Sequence, residues 1–179
     1  METEKEFKIL FLCTGNSCRS QMAEAFARHL IKDRIDAYSA GTTPKAVDPR
    51  AIKAMSEIGI DISRQQSKSL DDIKDMEFDF VITLCDNAQK TCPTIPAKTS
   101  VFHMGFDDPP KLAANCRNDD EAMGHYRRVR DEIKTFVAYL PDTLKQKKEN
   151  TAFDKARFVA GLKSVMGELP EHLKKTKQY

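Results

Sequence analysis

The chain has 179 residues, 40% of them hydrophobic and 31% charged, the composition and size of one globular domain rather than of a disordered or fibrous chain. Its 29 Lys and Arg against 27 Asp and Glu leave a formal net charge of only +2, which argues against a protein built to coat nucleic acid or an anionic membrane. No apolar run reaches the ~18 residues of a membrane-spanning helix. The first six residues carry acids ahead of a short apolar run and offer no small-residue cleavage site, a poor match to an export signal, so a cytoplasmic protein is expected.

The apolar run Phe7 to Leu12 reads as a buried strand that stops at Cys13-Thr14-Gly15-Asn16. From Ser20 the period changes, and Met22, Phe26 and Leu30 fall on one helical face with Ala23 and Ala27 beside them. Asp36 to Ala40, ending in Gly41, reads as a second strand. Pro49 suits the first position of a helix carrying Ile52 and Met55, closed by Gly59. A short helix is expected over Leu70 to Asp75, a third strand over Phe78 to Leu84, and a fourth over Ser100 to Met104. The spacing of Tyr126, Val129, Ile133, Val137 and Leu140 predicts a long helix from Asp119 or Asp120, with Pro141 ending it.

Strands alternating with helices predict an α/β fold, a four-stranded parallel sheet with helices on both faces. In such sheets ligands bind at the carboxyl ends of the strands. Cys13 and Cys85 each follow a strand directly, which puts both on that edge. The chain divides by composition into a domain over 1–140 and a basic extension over 141–179. The extension has nine Lys and Arg against five Asp and Glu, and an amphipathic helix is expected over Phe158, Leu162, Val165 and Leu169.

The segment Cys13-Thr14-Gly15-Asn16-Ser17-Cys18-Arg19-Ser20 joins the first strand to the first helix. A loop of this length wraps backbone N–H groups around a tetrahedral oxyanion, and the helix N-terminus adds partial positive charge. Arg19 is suited to grip two oxygens with its planar fork. The positive surroundings favour a thiolate nucleophile at Cys13. Gly15 and Asn16 are residue types that tolerate a positive φ in a tight turn, and Ser20 is placed to donate a hydrogen bond to the sulfur. The alternative is a Cys13 that fills space at a strand end.

With its continuation Gln21-Met22-Ala23-Glu24, this segment closely resembles the thioredoxin-coupled arsenate reductases, which share the low-molecular-weight protein tyrosine phosphatase fold. The resemblance continues through Tyr38-Ser39-Ala40-Gly41, Ala51 to Met55, Val81 to Cys85, Cys92-Pro93, Gly105 to Pro109 and Arg128 to Lys134, and covers about residues 7–140. It implies a three-cysteine relay that needs no cofactor. Cys13 attacks arsenate, Cys85 attacks Cys13 with release of arsenite, and Cys92 attacks Cys85, leaving a Cys85–Cys92 disulfide for thioredoxin. Asp108 is implied as the general acid, although Asp-Asp-Pro on its own reads as a turn. Phosphate and sulfate are expected as competing oxyanions, and neither nucleic acid nor membrane as a partner.

Read without the resemblance, Cys85 and Cys92 are a redox pair, two unrelated structural cysteines or half a metal site, the last disfavoured by a gap wider than usual zinc-ligand spacing and by the lack of a second Cys/His pair. The polar segment Asp86 to Thr91 between them reads as helix or loop; as a helix it sets them about two turns apart, roughly 10 Å at 1.5 Å per residue, beyond the ~7 Å of disulfide geometry, so pairing requires that segment to unwind or loop out. Two other functions fit the loop. One is a phosphotyrosine or phosphate-monoester hydrolase using Cys13, Arg19 and Asp108; the other is a non-catalytic oxyanion or redox sensor. Some members of the resembling family bind potassium through residues matching Asn16, Glu24 and Ser39 together with an acid; here Lys68 takes the acid's place, so no obligatory potassium is expected. Cys18 reads as a packing residue, Cys116 as a free surface thiol, and His103 as a hydrogen-bonded structural histidine.

Overall fold

A computed structural model of the chain describes residues 5–90 and 99–149. Cys92 and the helix expected over Phe158 to Leu169 lie outside the described residues. Four strands, β1 (Phe7–Cys13), β2 (Ile35–Gly41), β3 (Phe80–Thr83) and β4 (Ser100–His103), form one parallel sheet in the order β2-β1-β3-β4. Among the described residues the helices are α1 (Arg19–Leu30), α2 (Pro49–Ser56), α3 (Asp86–Lys90), α4 (Pro109–Ala113) and α5 (Asp119–Glu149), with one 3-10 turn at Asp71–Ile73.

The two-residue period of β1 sends Phe7, Ile9 and Phe11 to one face and Leu10 and Leu12 to the other. The first face is thick. It packs against Met22, Phe26, Met55, Tyr126, Ile133, Phe136 and Leu140 from α1, α2 and α5. The second is thin, covered by Ile73 of the 3-10 turn and Ala88 of α3, with Tyr38 and Phe78 at its rim. Helices thus lie on both faces, as the alternation predicts, but unequally.

Two features differ from the sequence reading. Pro141 does not end α5, which runs on to Glu149. Proline in a helix interior costs about 3 kcal/mol through a lost N–H and a clash. Pro141 is itself buried, Leu144 beyond it is fully buried in the main core, and Asp142 pairs with Arg34 at 2.7 Å. Burying one leucine contributes about 1.5–3 kcal/mol, enough to offset most of that cost. Cys116 is a free thiol, as expected, but half-buried rather than at the surface: it packs against the core with its Sγ 3.5 Å from Leu112 O, and burial pushes its thiol up.

Asp48 ties the thick layer to the β1–α1 loop. Its Oδ1 caps α2 by accepting from Arg50 N and Ala51 N, its Oδ2 accepts from the Tyr126 hydroxyl at 2.7 Å, and its own N–H donates to Ser17 O at 2.9 Å. Burial, then this bond, push the Tyr126 phenol well up. Replacing Asp48 by Ala removes a cap, about 1 kcal/mol, and strands a buried hydroxyl, about 1–3 kcal/mol. Asp48→Ala is therefore expected to lower stability by about 2–4 kcal/mol in urea unfolding, with Asp48→Asn losing under half of that.

Candidate active site

Cys13 ends β1 and is buried beneath the loop that follows. Asn16 N donates to its Sγ at 3.2 Å, and Ser20 Oγ lies 2.8 Å from the same sulfur. Ser20 Oγ also accepts from Asn16 Nδ2 at 2.9 Å, which leaves its own proton for Cys13. Two donors therefore converge on the sulfur and hold it as an acceptor.

Asn16 has φ 44°, the left-handed region that asparagine enters more readily than most residues. It is fully buried. Its Nδ2 also donates to Ser39 Oγ at 2.8 Å, its Oδ1 accepts from Lys68 N at 2.7 Å and from Gln21 Nε2 at 3.2 Å, and its carbonyl accepts from Gln21 Nε2 at 2.8 Å. The first half of α1 is accordingly buried on every side, with Ser20, Gln21 and Glu24 enclosed beside Met22, Ala23 and Phe26.

Helix α1 starts at Arg19 with no side-chain cap and no acid in its first turn, so its leading N–H groups stay available to an anion in the loop. Arg19 is largely buried. Its Nη1 donates to Phe106 O at 3.0 Å and its Nη2 pairs with Asp108 Oδ2 at 3.1 Å. Asp108 is half-exposed and stands immediately before α4, whose first residue is Pro109, so the Asp-Asp-Pro turn opens a one-turn helix. Asp107, on the rim of the same cleft, pairs with Arg128 at 2.7 Å. Thr14, Arg19, Cys85, His103, Phe106 and Asp108 line one open cleft of about 700 Å³.

Cys85 lies just past β3, the neighbour of β1, with Leu84 N bonded to Leu12 O at 2.8 Å. Its Sγ takes the N-cap place of α3 and accepts from Ala88 N at 3.4 Å. Thr14 Oγ1 lies 3.4 Å from the same sulfur and itself accepts from Asn87 Nδ2 at 3.2 Å, leaving the threonine proton for Cys85. The polar segment after Cys85 is helical over Asp86–Lys90. Asp86 and Asn87 were not singled out in the sequence; their signal was their place one and two residues after a strand-end cysteine.

Glu24 is buried and pairs with Arg28 at 2.6 Å and with Lys68 Nζ at 3.4 Å; it also accepts a short hydrogen bond from Ser39. Asn16, Glu24, Ser39 and Lys68 thus meet behind the loop. Cys18 packs in the main core, and burial pushes its thiol well up. Gly15 and Ser17 complete the loop, tied to the segment after β2 by Lys45 N to Gly15 O at 2.8 Å and by the Asp48 bond. Among the described residues, no cluster of His, Cys, Asp or Glu is arranged to hold a metal ion, and no helix is long and apolar enough to cross a membrane.

A strand-end cysteine that accepts two hydrogen bonds, an arginine at the head of the following helix and a loop of N–H groups between them make a site shaped for a tetrahedral oxyanion beside a thiol. The chain belongs to the low molecular weight phosphotyrosine protein phosphatase family, whose model matches residues 8–150. Within it, the chain is 49% identical over 133 residues to an arsenate reductase of Halalkalibacterium halodurans, spanning 72% of this chain and 94% of that protein. It is 46% identical over 125 residues to an arsenate reductase of Bacillus subtilis, spanning 70% and 88%. Among solved structures it is similar to an arsenate reductase in the phosphate binding state, with a TM-score of 0.61, 33% identity, and coverage of 78% of this chain and 98% of that one.

Gly41 shows how closely the loop is fitted. A Cβ there would lie 2.6 Å from Thr14 O and 2.8 Å from Asn16 N, both backbone atoms that cannot yield alone. Gly41→Ala is expected to lower affinity for inorganic phosphate at least tenfold in isothermal titration calorimetry while leaving the far-UV circular dichroism of the sheet unchanged.

Proposed function

We propose that the chain reduces arsenate to arsenite by a relay of three cysteines, working where thiols are kept reduced, as in the cytoplasm. The observation that carries this is Cys85, a second thiol at the neighbouring strand end with a hydroxyl and an N–H aimed at its sulfur. Hydrolysis of a phosphate monoester needs Cys13, Arg19 and Asp108 and has no use for that arrangement. The arsenate reductases to which the chain is similar support the same reading.

Arsenate sits in the loop over residues 14–19, held by backbone N–H groups and Arg19; phosphate and sulfate compete for the same cradle. The Cys13 thiolate attacks arsenic(V) and an As–S bond forms. The departing oxygen takes a proton from Asp108 and leaves as water. The Cys85 thiolate then attacks Cys13 Sγ. An S–S bond forms, the As–S bond breaks with its electron pair retained by arsenic, and arsenic leaves as arsenite. Two thiols have been oxidised and As(V) reduced to As(III), which balances. Cys92 attacks Cys85 Sγ and frees the Cys13 thiolate. The Cys85–Cys92 disulfide passes to an external dithiol protein of the thioredoxin class.

NADPH oxidation coupled through thioredoxin and thioredoxin reductase tests this. Wild type should turn over repeatedly with arsenate. Cys92→Ser should release one equivalent of arsenite and stop, and Cys85→Ser should release none. Hydrolysis of an aryl phosphate with no arsenate-dependent oxidation would make the chain a hydrolase instead.

The group behind the loop does not suit a resident potassium ion. The Glu24 carboxylate already meets two cationic side chains, and the oxygens of Asn16 and Ser39 already accept hydrogen bonds. Lys68 supplies the positive charge there. Exchanging potassium for sodium at constant ionic strength is expected to leave kcat/KM within twofold, whereas Lys68→Ala should lower it about tenfold and make it potassium-sensitive.

A further inference from the structure

Residues on either side of Cys85 are tied together by a histidine from another strand. Thr83, buried two residues before Cys85, places its hydroxyl 2.9 Å from His103 Nδ1 at the end of β4. His103 Nε2 lies 3.2 Å from Oδ1 of Asp86, the residue directly after Cys85 and the first of α3. If the threonine donates to Nδ1, a neutral imidazole carries its proton on Nε2. If the threonine donates instead to Phe102 O, 3.2 Å away, Nδ1–H is the donor to the threonine, and the Asp86 contact then needs a proton on Nε2 as well. In either arrangement the tie to Asp86 is made by an Nε2–H.

Gly105 makes room for it. A Cβ at this position would lie 3.0 Å from His103 Nε2 and 3.5 Å from Asp86 Oδ1, in the space the pair occupies. The Asp86 side chain is 83% exposed, and an exposed pair of this kind contributes little to stability. Its placement beside a reacting sulfur gives it a different use.

We propose that Thr83, His103 and Asp86 form a bracket that positions Cys85 for its attack on Cys13, with His103 and Asp86 acting as positioning residues. The bracket spans Leu84 and Cys85, fixing the end of β3 from one side and the start of α3 from the other. It thereby keeps the Cys85 sulfur beside Thr14, where the S–S bond to Cys13 must form as the As–S bond breaks. Neither His103 nor Asp86 donates or accepts a proton in that step. Misplacing a reacting atom by about 1 Å costs up to about a hundredfold in rate.

The inference rests on the reductase reading, and its test separates the two. Reduced full-length protein, mixed with arsenate in the absence of external reductant, is followed for arsenite release in a single turnover, and steady-state kcat and KM are measured with thioredoxin. Asp86→Ala is expected to slow arsenite release and kcat about tenfold or more, with KM for arsenate and the thermal midpoint unchanged. Asp86→Asn, which keeps an acceptor for Nε2–H, should stay within threefold of wild type. Gly105→Ala should behave like Asp86→Ala. Equal release rates in wild type and Asp86→Ala would overturn the bracket, as would a parallel fall in both Asp86 variants.

If wild type itself releases no arsenite, the reductase reading fails, and alkylation of Cys85 by iodoacetamide, mapped by mass spectrometry against Cys116 as reference, still decides the bracket. Asp86→Ala should then speed alkylation of Cys85 at least threefold, whereas an unchanged rate would overturn the proposal.

Discussion

The fold's chemistry hangs on one buried amide. Asn16 occupies a left-handed turn inside the loop, and its side chain and carbonyl meet groups from α1, β2 and the segment ending at Lys68. Each of these polar atoms would cost about 1–3 kcal/mol if left buried without a partner. No one element can shift without breaking bonds in the others. The loop is thereby fixed before any ligand arrives, and the donors around Cys13 need no rearrangement to meet an oxyanion. The buried polar residues of α1 follow from the same constraint: Ser20, Gln21 and Glu24 are inside because they complete this network, although a leucine at any of them would bury more apolar surface.

The parallel sheet does the second part of the work. Because β1 and β3 are direct neighbours, their carboxyl ends deliver two cysteines to one edge separated in sequence by 72 positions. Each sulfur then receives a backbone N–H three residues ahead of it, from Asn16 to Cys13 and from Ala88 to Cys85. A serine hydroxyl stands by the first and a threonine hydroxyl by the second. The same local device is used twice, once in an open loop and once at the head of a short helix. Thr14 belongs to the first loop and serves the second sulfur, so it couples the two centres.

Much of this was legible in the residues. The two-residue period of Phe7 to Leu12 and the change to helical spacing after Ser20 locate β1 and α1 because both are long and strongly patterned. Cys13, Arg19 and Ser20 announce the cradle because strand, glycine-asparagine turn and helix follow each other in order. Helix α4 was not legible: five residues opened by two prolines carry no period, and its start is set by Pro109 at the first helical position. The continuation of α5 past Pro141 was hidden because a proline's local cost is read from sequence, while the burial of Leu144 that offsets it depends on the neighbouring layers. The Asp86–His103 contact joins residues on separate elements and leaves no spacing to find.

The unequal cover of the two sheet faces has a consequence for how the molecule can move. The thick side, with α1, α2, α4 and α5, holds nearly all the large buried side chains, whereas α3 contributes a single buried alanine among Asp86, Asn87 and Ala88. Opening α3 exposes little apolar surface and belongs to the low-energy end of local unfolding, while opening the other side is tantamount to global unfolding. On the proposed relay the protein thus separates two demands that compete in many redox enzymes. The loop after Cys13 is built into the rigid half, and Cys85, the sulfur that would change partners, is carried by the half that can let go.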